Sequence, residues 1–333
     1  MSKLAKKSKV CPRCQAKYPL TDFEFCRYCG AKLEDIANSG NSLDIGETGK
    51  VKHRTLASWG WIPAVLGYAA SFILLFLFQN ILSIIGAFLG LPVMFVPLFD
   101  SWVTTLTPEF LVFITLGQLG LVVIPLLYLR IKSLPLKELG FDFENKKEVQ
   151  NDIMIGTLGG GIMMGISLLV SWASTYTLGA LYSPLDIYMS EIFSNINNAS
   201  FMAIHLYQYV LLVLSMFLLV APSEEISTRA FLQQGLENSF GRWIGLITTA
   251  IIFSALHILL YPQTATAIGF PSYIGSISAI IAVPSYLALS LTLGFLLQIR
   301  KYRIITTITA HAVYMAILVS IYYFQNYWIY LYI

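Results

Sequence analysis

The chain has 333 residues, of which 56% are hydrophobic and only 12% charged, and its formal net charge is +3. Soluble domains carry about a quarter charged residues, so an ordinary soluble enzyme is excluded and a polytopic membrane protein with a small soluble part is expected. The net charge itself says little, because in such proteins the placement of Lys and Arg matters more than their sum.

The chain opens on MSKLAKKSKV, which is basic but leads into a cysteine-rich polar stretch, not into the apolar core of a signal peptide. All four cysteines fall in residues 1–33, as two C-x-x-C pairs, Cys11 with Cys14 and Cys26 with Cys29. Each pair brings two thiolates to one side of a tetrahedral ion, and Gly30 permits the turn just past the second pair. The spacer of eleven residues between the pairs suits a minimal zinc ribbon, which this segment resembles. Structural Zn2+ is therefore the expected cofactor, supplying most of the folding energy of so small a unit. A closed shell of thiolates leaves that metal no open position for catalysis. Disulfides, disfavoured by a cytoplasmic location, and an unstructured tail are the competing readings. The ribbon's expected task is contact with a cytoplasmic protein partner or with anionic lipid, helped by Lys3, Lys6, Lys7 and Lys9; no nucleic acid is expected as a partner. Residues 34–57 are polar and rich in Gly and Ser and read as a flexible linker. Residues 58–333 read as a transmembrane helical domain.

A membrane-crossing helix needs about 20 mostly apolar residues. The candidates are Trp61 to about Phe78 with a possible continuation towards Phe95, Phe110–Leu129, Ile153–Ala173, His205–Val220 with a possible continuation through the following glutamates, Trp243–Leu260, Gly275–Leu297 and Ile304–Phe324. The fold class is thus an all-α polytopic membrane bundle of about seven transmembrane helices with a small N-terminal zinc ribbon. Ile81–Leu98 contains Gly90, Pro92 and Pro97, which argue against an eighth span and for a bent or interfacial extension of the first. Connection 174–204 is long enough to hold a short interfacial helix. Of the 21 Lys and Arg residues, none lies near 99–109, 174–204 or 261–274, or in the C-terminal tail. Under the positive-inside rule, seven spans put every basic cluster and the N-terminus in the cytoplasm and the C-terminus outside. A multi-pass protein of the cell membrane, with the lipid bilayer as its first partner, is expected.

The segment APSEEISTRAFLQQG follows the apolar run YVLLVLSMFLLV, and it sets Glu224, Glu225 and Arg229 at or inside a span. A charge at mid-membrane costs on the order of 3 kcal/mol and normally faces a cavity or a partner. Glu225 and Arg229 stand four apart and can pair on one helix face. Glu224 points about 100° away. Two more spans each carry a histidine, His257 in IIFSALHILL and His311 in ITAHAVYMA. Taken singly, the acidic pair can be a helix cap with a snorkelling arginine, and a buried histidine is ordinarily a hydrogen-bonded core residue. Taken together, they describe a wet pocket in which carboxylate and imidazole hold one water molecule. Helix rise sets His257 about 22 Å from Arg242 and His311 about 12 Å from Arg303, so the two share a level only if their spans tilt or begin at different depths.

The series E-E-x-x-x-R (Glu224, Glu225, Arg229), F-x-x-x-H (Phe253, His257) and a histidine in the last span (His311) resembles the CPBP family, the type II CAAX prenyl endopeptidases and Abi-type membrane proteases. The resemblance covers about residues 150–320. It implies that Glu224 and His257 activate a water that attacks the scissile peptide, that Glu225 and Arg229 support them, and that His311 stabilises the oxyanion. Two positions depart from the pattern: Met315 stands where asparagine is usual, and Thr228 where phenylalanine is usual. Methionine donates no hydrogen bond, and loss of one oxyanion donor costs about 100-fold or more in rate. The expected function is an intramembrane endopeptidase acting on membrane-associated peptides or protein tails, with a metal-free glutamate mechanism ranked above a metal held by Glu224, His257 and His311. The alternative is a catalytically silent membrane adaptor or peptide-immunity protein that uses the ribbon to bind a partner.

Overall fold

The computed structural model describes residues 8–10, 17–19, 34–35, 57–90, 93–98, 101–106, 112–113, 115–181, 205–267 and 272–331. Near the N-terminus, β1 (Ser8–Val10) pairs antiparallel with β2 (Lys17–Pro19) and with β3 (Glu34–Asp35), giving the order β2-β1-β3. Cys11, Cys14, Cys26 and Cys29, with the zinc site expected of them, lie outside the described residues. The third strand falls at the start of the stretch expected to be linker.

Among the described residues, seven long helical segments follow. They are α1 (Trp61–Phe88), α2 (Leu119–Ile131), α3 (Lys146–Leu181), α4 (Leu206–Phe240), α5 (Arg242–Ala267), α6 (Ser272–Ile299) and α7 (Ile304–Leu331). Within the described residues, four stretches are long and apolar enough to cross a membrane: 61–86, 146–174, 206–240 and 304–321. Shorter apolar helices cover Leu116–Ile131, Arg242–His257 and Val283–Ile299.

The first helix takes up part of the extension beyond Phe78 that the sequence allowed. It continues to Phe88 and stops at Gly90, whose φ of +65° suits glycine. The chain then forms an antiparallel hairpin, β4 (Val93–Leu98) with β5 (Ser101–Leu106), in register from Val93 opposite Leu106 to Leu98 opposite Ser101. Val, Phe, Trp and Thr favour this pleated pairing. Ile81–Leu98 is therefore helix and then strand, not one bent helical extension. Helix α3 continues through Leu181, and residues 182–204, where a short interfacial helix was expected, lie outside the described residues.

Helix α4 is the central element. From Ser223 through Glu237, every residue except Glu224 is buried. Trp59, just before α1, is pinned to it: its indole Nε1 donates to the Phe231 carbonyl at 2.9 Å and its ring stacks on Phe231. Asn238 Nδ2 donates to the carbonyls of Ala57 and Trp59 at 2.9 and 2.8 Å. Around this anchor Ala64, Tyr68, Leu232, Leu236, Leu297 and Ile304 make one apolar core.

The basic end of the bundle is held by a buried carboxylate. Asp152 on α3 accepts hydrogen bonds from Arg300, Arg303 and Thr306, tying the α6–α7 turn to α3. Arg303 also reaches Asp142, with Nη1 3.2 Å from Oδ2. Lys301 and Tyr302 have φ of 54° and 64° in that turn, a strained region for non-glycine residues that the Asp152 contacts hold in place.

In lipid, helices meet by close packing rather than by hydrophobic expulsion from water. Helix α3 accordingly presents small residues to α7. A Cβ on Gly160 would sit 2.7 Å from the Ala310 carbonyl oxygen, whereas one on Gly161 meets nothing within 4 Å. Gly160→Leu is expected to destabilise the bundle by about 1–3 kcal/mol through overpacking, and Gly161→Leu to leave it unchanged. Thermal unfolding of the two variants in detergent checks the difference.

Candidate active site

Pro222 has no N–H for the Leu218 carbonyl, and its ring crowds that carbonyl in a regular helix. Helix α4 widens to π geometry over Met216–Val220, immediately before it. A short α-helical segment, Ala221–Glu225, carries the two glutamates, and a second π stretch runs over Ile226–Gln233. Such wide turns recur at functional sites because they re-aim side chains.

Glu225 and Arg229 are fully buried and face each other, Arg229 Nε lying 3.5 Å from Glu225 Oε2. The guanidinium donates from Nη2 to Ser290 Oγ on α6 at 2.9 Å and lies 5.2 Å from the ring centroid of Phe253 on α5. The other Glu225 oxygen, Oε1, is 3.0 Å from Nδ1 of His311 on α7. A carboxylate only accepts, so Nδ1 carries the hydrogen of that bond. The opposite nitrogen, Nε2, looks toward Glu224 Oε2 at 3.9 Å. Glu224 is the partly exposed member of the group.

His257 is held differently. Its Nδ1 is 2.9 Å from the Phe253 carbonyl oxygen, again a pure acceptor, so Nδ1 carries a hydrogen and Nε2 of the neutral ring is left with a free lone pair. The ring packs between Phe253, at 4.2 Å between centroids, and Tyr286 of α6, at 4.9 Å.

The site residues expected from sequence thus fall into two groups. Glu224, Glu225, Arg229 and His311 meet directly, while His257 joins them through Phe253, the ring under the Arg229 guanidinium. Among the described residues no hydrogen bond links His257 to Glu224. Met315, one turn beyond His311, packs with the apolar cluster of Met163, Met164, Leu289, Leu293 and Tyr314. Among the described residues no group of His, Cys, Asp and Glu has the arrangement of a metal site.

A polar ladder that sequence reasoning missed leads away from this site. Steps of four along α4 give Glu225, Arg229, Gln233 and Glu237, all buried. Steps of four along α6 give Ser290, Gly294 and Gln298. Gln233 Nε2 donates to the Gly294 carbonyl at 3.2 Å, and Gln298 Nε2 donates to Glu237 Oε1 at 2.7 Å. Gly294 is required here, since a Cβ would stand 2.7 Å from Gln233 Oε1. Glu237 also accepts from Gln233 Nε2 and from the Tyr302 hydroxyl, both at 2.7 Å. The repeated four-residue spacing of polar residues is the signal in the sequence; taken alone, Glu237 reads as one more acidic residue of a loop or span end.

Residues 199–317 match the profile of the family described as Rce1-like, type II CAAX prenyl endopeptidase Rce1-like. The match takes in Glu224, Glu225, Arg229, His257, His311 and Met315 and leaves α1 to α3 outside it. Neither a curated protein nor a solved structure matches the chain.

Removing one partner of a buried ion pair leaves the other charge uncompensated, which costs about 3–5 kcal/mol. Arg229→Met is expected to destabilise the protein by that amount. The double variant Glu225→Gln/Arg229→Met is expected to lose less than Arg229→Met alone. Denaturant titration of the two in detergent measures the coupling.

Proposed function

We propose that the protein is an intramembrane endopeptidase that cleaves membrane-associated peptides or protein tails, a reading supported by the match of residues 199–317 to the Rce1-like type II CAAX prenyl endopeptidase family. Glu224 is its general base. The observation that carries this reading is the division of labour in the acidic pair: Glu225 is committed to Arg229 and His311, whereas Glu224 is partly exposed beside His311. A water held between Glu224 and the free Nε2 of His257 gives its proton to Glu224 as its oxygen bonds to the scissile carbonyl carbon. The carbonyl oxygen takes up the negative charge. When the C–N bond breaks, the proton on Glu224 passes to the leaving amine, and the base is regenerated.

His311 faces the developing oxyanion. With its Nδ1 hydrogen committed to Glu225, it offers a second hydrogen at Nε2 only as the imidazolium. In that form two carboxylates, one guanidinium and one imidazolium sum to no net charge, which suits a site buried within the bundle.

The N-terminal ribbon is proposed to hold one structural zinc through Cys11, Cys14, Cys26 and Cys29 and to dock a cytoplasmic protein partner. Its support is the paired spacing and the antiparallel strands β1 and β2, which flank the first cysteine pair in the chain. The proposed orientation, with the N-terminus in the cytoplasm and the C-terminus outside, is supported by the positions of the basic clusters in the sequence. A silent adaptor is the second reading, favoured by Met315, whose side chain packs among apolar neighbours.

Purified protein in lipid nanodiscs is expected to cleave a quenched fluorogenic peptide anchored by a lipidated C-terminal cysteine. Glu224→Ala and His257→Ala are each expected to lower the rate by about 100-fold or more. Cleavage that survives Glu224→Ala ends the mechanism, and a wild-type protein that cleaves nothing leaves the adaptor. Metal analysis is expected to find about one zinc per chain, lost in the Cys11→Ser/Cys14→Ser variant.

A further inference from the structure

An oxyanion in a low-dielectric site needs fixed donors aimed at it, and losing one of them costs about 100-fold or more in rate. His311 supplies one such donor in the proposed reaction. One turn further along α7 stands Met315, which has no hydrogen to give and packs into an apolar cluster.

Helix α1 brings another donor to α4. Tyr68 is almost completely buried, and its hydroxyl oxygen accepts a hydrogen bond from Thr228 Oγ1 at 3.3 Å. Thr228 is four residues past Glu224 on α4, one turn along the same face. Because Thr228 donates in that bond, the phenolic hydrogen of Tyr68 is not used in it. The ring is held edge-on by Phe72 at 5.0 Å, so the hydroxyl is fixed in place. The surroundings also call for a polar visitor. Ser71 Oγ, one turn along α1, and Ser227 Oγ and Arg229 Nη1 on α4 are buried side-chain atoms with no hydrogen-bond partner among the described residues. Buried polar atoms are ordinarily paired, with protein or with ordered water, so ordered water or a polar group of a bound substrate would satisfy them.

We propose that Tyr68 is a catalytic residue of the peptidase site: its phenol donates a hydrogen bond to the scissile carbonyl oxygen as negative charge develops there, alongside Nε2 of His311, with Thr228 fixing the hydroxyl. The proposal rests on the peptidase reading. It draws on a helix outside the matched segment 199–317, so it belongs to this chain's own architecture. Chemically the step is hydrogen bonding alone; the bonds made and broken are those of the hydrolysis already described.

The test uses the full-length protein in nanodiscs and the lipid-anchored fluorogenic peptide. Tyr68→Phe keeps the ring and removes only the hydroxyl, so its melting temperature and KM are expected to stay near wild type while kcat falls about 100-fold. Adding Met315→Asn to Tyr68→Phe restores a donor from α7 and is expected to recover part of that loss, which no repair of packing by Met315→Asn would do. A phosphonate version of the peptide, whose anionic oxygens imitate the tetrahedral intermediate, is expected to bind Tyr68→Phe more weakly by a similar factor, with the uncleaved peptide bound as before. If Glu224→Ala abolishes cleavage while Tyr68→Phe retains wild-type kcat and phosphonate affinity, the assignment of Tyr68 is overturned and the peptidase reading stands. If wild-type protein cleaves nothing and does not bind the phosphonate, both fall together.

Discussion

The structure depends on one buried ion pair. Glu225 and Arg229 lie inside α4 with no exposure to solvent, where an isolated charge would cost several kcal/mol. They are tolerable only if every neighbouring element contributes. Helix α6 sends the Ser290 hydroxyl, α5 the face of Phe253, and α7 the imidazole of His311. The same contacts that offset the cost of the charges bring three helices to one level of the membrane, and they leave Glu224 beside the cluster but outside the pair. A base for hydrolysis needs that position, held close to cationic groups yet not consumed by them.

The rest of the bundle repeats the device. Among lipid tails, apolar contact between helices is hardly better than contact with lipid, so specific polar contacts and close approaches set the arrangement. Asp152 gathers Arg300, Arg303 and Thr306, and Glu237 gathers Gln233, Gln298 and Tyr302. Each carboxylate is buried and each ties the α6–α7 turn to another helix. Between Glu237 and Glu225, the facing polar stripes of α4 and α6 fix the register of the two helices. The level of the candidate site is thus set by contacts that start at the basic end of the bundle.

Much of this could be read from the chain because membrane spans obey a length rule and charges within them are rare. Glu225 with Arg229 was visible as a four-residue pair, and His311 and His257 as polar residues in apolar runs. The features that stayed hidden depend on tertiary contact. The sequence left open how His257 and His311 could share a level; the structure joins them to α4 separately, one through Phe253 and the other through the carboxylates. Asp152 and Glu237 look like span-end residues in the chain, and only the α6–α7 turn folding onto them shows otherwise. Tyr68 reads as one more aromatic in an apolar helix, and only its contact with Thr228 distinguishes it. The hairpin after α1 was masked by Gly90, Pro92 and Pro97, which end a helix without specifying a strand pairing beyond it.

The central claim is that Glu224 activates a water molecule and does not itself attack the peptide. Single-turnover cleavage of the lipid-anchored peptide in water enriched in oxygen-18, with the product analysed by mass spectrometry, tests it most directly. The account predicts one heavy oxygen in the newly formed carboxylate on the first turnover. A first-turnover product without the label, with heavy oxygen found on the protein instead, would contradict it.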